Sequence, residues 1–496
     1  KPSLIENVSA ILSEMRERFG AASCHSDPLT TGGVKALALS ATQIRAEHAT
    51  ASAVRHLGER EAAFTPEAIL STALGFQVRG VEAHHIEARV GQLIDNGKLI
   101  RGVSDRADGH FNHVTTPQAL AMEQRVLDNV AVGAGKGRSY MSPEQAAERL
   151  QEAARALGQT RASADGWVLN QGQLAAGIAI LSGQDRFLNI QGVAGAGKST
   201  LIGALDIVLR DEGVRLVGLA FQNKMVADLR GGASQTMSVE DMKAAGIEAH
   251  TIASFANRYD RASREPGSPR YDAAKADLAN TVIITDESSM VSTRDMLRVQ
   301  GIAERLEVDK APFIGDRNQL SAIEQGKMFA VIQAAGHTTV HMDENIRQRN
   351  SPLLMAVAGL SNEGHASLAL DLLAAHGRVT EAGPDSIAAT AAMWLALSPE
   401  QRGHTAIFTA GRADRTEINA LVQQGLKAEG ALSGNPVALR TLQSANTTRE
   451  QLRFASTYAP GQVLDRVDDE VGVIGERHLH ALAEELAGLG PKAVFQ

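Results

Sequence analysis

The 496-residue chain holds one cysteine, Cys24, which excludes an internal disulfide framework and a cysteine-rich zinc site. Aromatic residues make up only 4%, so a surface that stacks bases has few rings to work with; Phe221, Phe255 and Tyr259 are the nearest candidates. No apolar run is long enough to span a bilayer, and KPSLIENVSAIL at the start lacks the basic-then-apolar pattern of a secretory signal. No membrane insertion is therefore expected, and a cytoplasmic setting is the default. Positive charge is also short: 49 basic against 57 acidic residues give −8, so any nucleic-acid contact must come from a local basic lining. The chain begins with Lys1 rather than methionine and is expected to be a fragment.

What is present is ordinary for a globular protein, with 44% hydrophobic and 21% charged residues, and the length calls for two to four domains. One stretch stands out. Leu188 to Ala204 reads as a short apolar strand, a glycine-rich turn through Gly192, Gly195 and Gly197, and then Lys198-Ser199-Thr200 opening a helix. This matches the phosphate-loop pattern G-x-x-x-x-G-K-[ST] at every position and in the right context. Glycines let successive N–H groups curl toward an anion, and the helix that follows aims its positive end at the same point. Lys198 can reach the outer phosphates and Ser199 can ligate Mg²⁺. The stretch reads as a nucleoside-triphosphate site.

Upstream, Ala51 to Ala62 reads as a helix, Thr65-Pro66-Glu67 as a helix start, and Glu82 to Asp95 as an amphipathic helix carrying Ile86, Val90, Leu93 and Ile94. Lys98 to Val103, a turn at Asp108-Gly109 and Phe111 to Thr115 make a hairpin, giving the order of a winged helix. The basic loop Val132 to Arg138 is a boundary, and Pro143 to Leu157 reads as an Ala/Glu/Arg-rich surface helix. Gln173 offers an amide that can bond both a donor and an acceptor on adenine, which favours ATP. Downstream, Val214 to Ala220 reads as a strand followed by the turn Phe221 to Lys224, and Gly246 to Phe255 as a strand-to-helix entry carrying His250 and Thr251. Thr281 to Thr285 is a β-branched run typical of a buried parallel strand, ending in Asp286-Glu287. Asp286 is placed to hold Mg²⁺ and Glu287 to polarise the attacking water. A further strand, Ala311 to Ile314, leads to Gly315 to Leu320, where Gln319 can sense the γ-phosphate; after the strand Thr338 to Met342, Arg347 can neutralise charge developing on that phosphate.

Gln173, GVAGAGKST, GIEAHTIASF, DESSMV, GDRNQL and ENIRQRN, in this order and spacing, resemble a superfamily 1 DNA helicase. The nearest likeness is the helicase portion of the relaxase–helicases of conjugative plasmids, the TraI/TrwC type, over roughly residues 45 to 465. The resemblance implies an α/β fold of RecA-like P-loop domains preceded by a small winged-helix-like domain. It implies ATP and Mg²⁺ as cofactors, single-stranded DNA as partner, stepping 5′ to 3′, and unwinding of plasmid DNA in a bacterial cytoplasm. Coupling proteins of a type IV secretion channel are implied as further partners. By the same resemblance Phe221, Asn223, His250 and Thr251 border the DNA track in the first domain and Asn419 in the second. The expected division is an N-terminal helical segment at 1–49, a winged-helix-like domain at 50–138, RecA-like domain 1 at 139–345, and a partial or degenerate RecA-like domain 2 at 346–496. After Leu464 no counterpart of the late helicase motifs occurs, and none of the four tyrosines lies near a histidine-x-histidine cluster that could serve DNA nicking. A second reading therefore stays open, a degenerate helicase fold acting as a DNA-binding or secretion-recognition module. A small-molecule kinase built on the same loop would require an acceptor lid in place of GDRNQL.

Overall fold

The first two helices start at hydroxyl caps. Ser40 and Gln43 exchange side-chain-to-backbone hydrogen bonds in a capping box, so α1 begins at Ala41 and runs to Gly58, earlier than the expected Ala51. Thr65 caps α2 (Pro66–Gly75), with proline at its first position as expected. The third helix, α3 (Ala83–Asp95), buries Ile86, Val90 and Leu93 on one face. β1 (Ile100–Arg101) and β2 (Val114–Thr115) then pair antiparallel, completing the order read from the sequence. The computed structural model describes residues 27–32, 35, 38–102, 112–160, 167–221, 248–319, 325–433, 447–448, 450–454 and 457–458. Cys24, the turn at Asp108-Gly109, and Asn223 with Lys224 lie outside the described residues.

Two compact units partition the chain, Lys1–Arg347 together with Ala445–Gln496, and Gln348–Ser444. In the first unit the described residues between 447 and 458, expected with the second domain, pack on the N-terminal helices. Phe454 stacks on Phe76 with ring centroids 4.1 Å apart, and Glu450 pairs with Arg55 at 3.1 Å.

Three more helices lead into the sheet. α4 (Pro117–Gly133), capped by Thr116, lays Val126 and Val130 into the core beside Met296 and Val299. α5 (Pro143–Thr160) is not the surface helix expected from its charge. Ala146, Leu150, Ala153 and Ala154 form a buried stripe at helical spacing, because small alanines let it approach the core closely. α6 (Gln171–Ser182) is capped by Asn170. The sheet consists of β3 (Asn189–Gly192), β4 (Arg215–Ala220), β5 (Glu248–Thr251), β6 (Thr281–Thr285), β7 (Phe313–Gly315) and β8 (Thr339–Met342). All pairings are parallel and the strand order is β5-β4-β6-β7-β3-β8. All five residues of β6 are buried, as its β-branched run predicts. Intervening helices α7 (Lys198–Asp211), α8 (Ile252–Ser263), α9 (Pro269–Asp277), α10 (Thr293–Arg305) and α11 (Met328–Ala334) complete the unit. This is a RecA-like P-loop fold, with the loops after β6, β7, β3 and β8 following adjacent strands at one edge of the sheet.

A lysine is sealed beneath that sheet. Lys310 is 2% exposed, and its ammonium donates to the carbonyls of Ala179 and Gly183 at the C-terminal end of α6. Burial pulls its pKa down to about 8, against the opposing pull of Asp185 and Asp309. The folded value thus lies below the unfolded one. Between about pH 8 and 10 the unfolded chain keeps a proton that the folded chain has released, so this group makes stability rise with pH across that window. The Lys310→Met variant is expected to lack the rise, so that wild type gains on it by roughly 2 kcal/mol between pH 8 and 10 in denaturant titrations. Parallel pH curves for the two proteins would contradict this.

The second unit, 348–444, comprises α12 (Pro352–Asn362), α13 (Ala366–Ala375), α14 (Ser386–Leu395), α15 (Pro399–Gly403) and α16 (Arg412–Ala428). Arg402 lies over the Trp394 ring and pairs with Glu429 at 2.6 Å, while the Trp394 indole donates to the Thr405 carbonyl at 2.9 Å. Among the described residues this unit contains no strand, and the parallel sheet belongs wholly to the first unit. Phe408, in the apolar stretch before α16, is 92% exposed.

Candidate functional site

The glycine loop leaves β3 at Gly192 and turns through two positive-φ residues, Gly195 (+81°) and Gly197 (+78°), before Lys198 opens α7. Only glycine adopts this conformation freely. At Gly197 a side chain is also excluded by space: a Cβ there would come within 2.5 Å of both Gln173 Nε2 and Ile346 Cδ1. The N-terminal end of α7, the positive end of its dipole, thus opens directly from the loop. Lys198 Nζ donates to the Gly192 carbonyl at 3.3 Å and stands 3.7 Å from Glu287 Oε1. Ser199 is exposed and Thr200 partly exposed in the first turn of α7.

The two carboxylates come from the end of β6. Asp286 is anchored by its N–H to the Leu219 carbonyl of β4 at 2.8 Å, and its Oδ1 accepts from the Glu287 N–H at 2.9 Å. Glu287 sits in the left-handed region (φ 48°, ψ 44°), which costs about 1 kcal/mol for a residue with a side chain. That turn carries the carboxylate to Lys198. Burial, and next the Glu287 charge, push Asp286 up to about 6, against the pull of Lys198. Two carboxylates around one lysine, beside a loop shaped for phosphate, form an oxygen donor set that a divalent cation would relieve. The residues fit a nucleoside triphosphate with Mg²⁺; Ser199 and Asp286 are the groups that could hold the ion.

The remaining sequence-derived candidates fall in several places. Gln173 is buried against the loop: its Nε2 donates to the Gly197 carbonyl at 3.0 Å, while its Oε1 accepts from the Asn170 N–H at 3.0 Å in the capping box of α6. Both halves of its amide are thus engaged, and reading a base would require exchanging one of these bonds. Gln319 is exposed after β7, its Nε2 donating to Asp316 Oδ2 at 2.9 Å. The exposed Arg347 is tied to the loop by its backbone, for the N–H groups of Ile346 and Arg347 both donate to the Gly195 carbonyl, at 2.9 and 3.2 Å. Phe221 is partly exposed at the end of β4. His250 lies on the edge strand β5, 2.9 Å from Glu248 Oε1, and the Thr251 hydroxyl caps α8. Asn419 is exposed on α16 of the second unit, beside a cavity also lined by Trp394, Thr409 and Arg415. Phe255 and Tyr259 are not available for stacking: they are 2% and 4% exposed, facing the core from α8.

Sequence reasoning gave no role to Gln191, Asp316 or Gln333, which form a polar chain beside the loop, Gln191 and Asp316 buried and Gln333 partly buried. Gln191 Nε2 donates to Asp316 Oδ1 at 2.7 Å, and Gln333 Nε2 donates to Gln191 Oε1 at 3.2 Å. A signal was present, since Gln191 is a polar residue in the strand of a buried parallel sheet, where apolar side chains are the rule.

A parallel sheet, a glycine loop feeding a helix, and acidic residues at the end of a nearby strand define a P-loop domain of the RecA-like class. Residues 168–384, which include the entire sheet, match the AAA domain family. The chain is similar to the multifunctional conjugation protein TraI of Escherichia coli strain K12, 26% identical over 465 residues, which is 84% of this chain and 24% of TraI. It is also similar to the conjugal transfer protein TraA of Agrobacterium fabrum, 27% identical over 332 residues, 64% of this chain and 28% of that protein. The chain spans about a quarter of the length of these curated relatives.

Proposed function

We propose that this chain is an ATP-dependent single-stranded DNA translocase, the helicase module of a plasmid-transfer protein, stepping 5′ to 3′. The observation that carries the reading is the meeting of Lys198 and Glu287 at 3.7 Å beside a loop that only glycine can form. In the proposed cycle Lys198 and the N–H groups at the start of α7 grip the outer phosphates. Glu287 orients a water and accepts its proton, and Ser199 and Asp286 would hold Mg²⁺, which would supply charge neutralisation. Gln319 senses the terminal phosphate and Arg347 neutralises the charge that develops there. Phe221, Asn223, His250, Thr251 and Asn419 are proposed to border the DNA. A cytoplasmic site and coupling proteins of a type IV secretion channel complete the proposal; among the described residues no helix is long and apolar enough to cross a membrane.

The helical character of unit 348–444 favours a second reading, a single-stranded DNA-binding or secretion-recognition module that does not step. Phosphate release measured with and without single-stranded DNA separates the two. Stimulation by DNA is expected, and DNA affinity should fall as salt is raised, because phosphate contacts give up their counterions. DNA binding with no phosphate release would reject the motor in favour of the binding module.

A further inference from the structure

Gln191 is the last but one residue of β3, immediately before Gly192, and is paired in register with Gly315 of β7 and His341 of β8. It is 4% exposed, and a primary amide buried this deeply is costly unless every polar atom is bonded. Its Nε2 donates to Asp316 Oδ1 at 2.7 Å, and its Oε1 accepts from the Arg317 N–H at 3.1 Å and from Gln333 Nε2 at 3.2 Å. The amide therefore grips the turn after β7 at two adjacent residues. Asp316 is 1% exposed and passes the grip onward: Oδ1 also accepts from the Asn318 N–H at 3.1 Å, and Oδ2 accepts from Gln319 Nε2 at 2.9 Å. All of these donors to Asp316 are neutral, so its position depends on hydrogen-bond geometry rather than on an ion pair.

We propose that Gln191 is a positioning residue for nucleotide hydrolysis, acting through Asp316 to set the turn that presents Gln319 to the phosphate site. Gln191 directly precedes Gly192, the first glycine of the phosphate loop, so the same strand end carries the loop and holds the turn. Gln319 is retained by Asp316, and it reaches a phosphate by exchanging that one bond while Gln191 keeps the carboxylate and the Arg317 N–H in place. The inference rests on the ATPase reading of the loop.

The test compares wild type with Gln191→Met, which keeps chain length and approximate volume but makes no such bonds. Under saturating single-stranded DNA, kcat for ATP is expected to fall by about tenfold while KM and the affinity for a non-hydrolysable ATP analogue stay within about twofold. In a Gln319→Ala background the methionine should bring no further loss, because the two residues act in one chain. An unchanged kcat, an equal loss in the Gln319→Ala background, or a loss confined to affinity would each overturn the proposal. If Gln191→Met does not fold, Asp316→Asn replaces it, with the same split of kcat from KM expected and full activity counting against the idea. Wild type that fails to release phosphate defeats the ATPase reading itself, whereas an active wild type with an indifferent Gln191 defeats this inference alone.

Discussion

Replacing Lys198 by alanine is expected to lower ATP turnover by about a hundredfold or more while single-stranded DNA is still held. The amine lies between the Gly192 carbonyl and the Glu287 carboxylate, and it is the cation that meets Glu287 there. Without it, Asp286 and Glu287 face an incoming triphosphate with no lysine between them. Repulsion then opposes nucleotide entry as well as the reaction, so both affinity and kcat should fall. Phosphate release gives the first reading, and fluorescence anisotropy of a labelled oligonucleotide gives the second. Turnover equal to wild type would take Lys198 out of the site. Loss of DNA binding alongside turnover would mean that the two ligands share a surface, contrary to the proposed place of His250 and Thr251 on the edge strand β5.

The second large effect is expected at Glu287. Changing it to glutamine preserves size and the left-handed turn but removes the carboxylate that would take a proton from water. Nucleotide should still bind, and with less repulsion from the protein, while the hydrolytic step slows by about a hundredfold or more. Single-turnover hydrolysis set beside the dissociation constant of the nucleotide distinguishes this from a simple binding defect. The substitution has a side effect that can be read independently. The Glu287 charge is one cause of the raised pKa of Asp286, so without it Asp286 should titrate closer to an ordinary carboxylate. A variant that hydrolyses normally would exclude Glu287 as the base.

Local pattern made much of this fold legible. The run Thr281 to Thr285 became β6 with the same limits, because β-branched and apolar residues suit a strand covered on both faces. Thr65-Pro66 began a helix as hydroxyl caps and first-turn prolines do. The phosphate loop was legible because its glycines answer a backbone demand that few other residues meet. What failed did so for a common reason: burial depends on partners that sequence spacing does not name. The charge of α5 suggested a surface helix, yet its alanine stripe lies against the core. Phe255 and Tyr259 are the rings nearest to hand for stacking on DNA, but helix α8 turns both into the core. Gln191 carried no motif at all, and its partner Asp316 is brought to it only by the pairing of β3 with β7.

The amide oxygen of Gln173 accepts from the Asn170 N–H at the cap of α6, and its amide nitrogen donates to the carbonyl of Gly197. One side chain therefore fastens two pieces of backbone that a designer would treat as separate. Fraying at that helix tip would loosen the bend beyond Gly192, and straightening the bend would tug on the tip. Amides in the two places should open to solvent exchange together, as parts of one hinge pin rather than two neighbouring bolts.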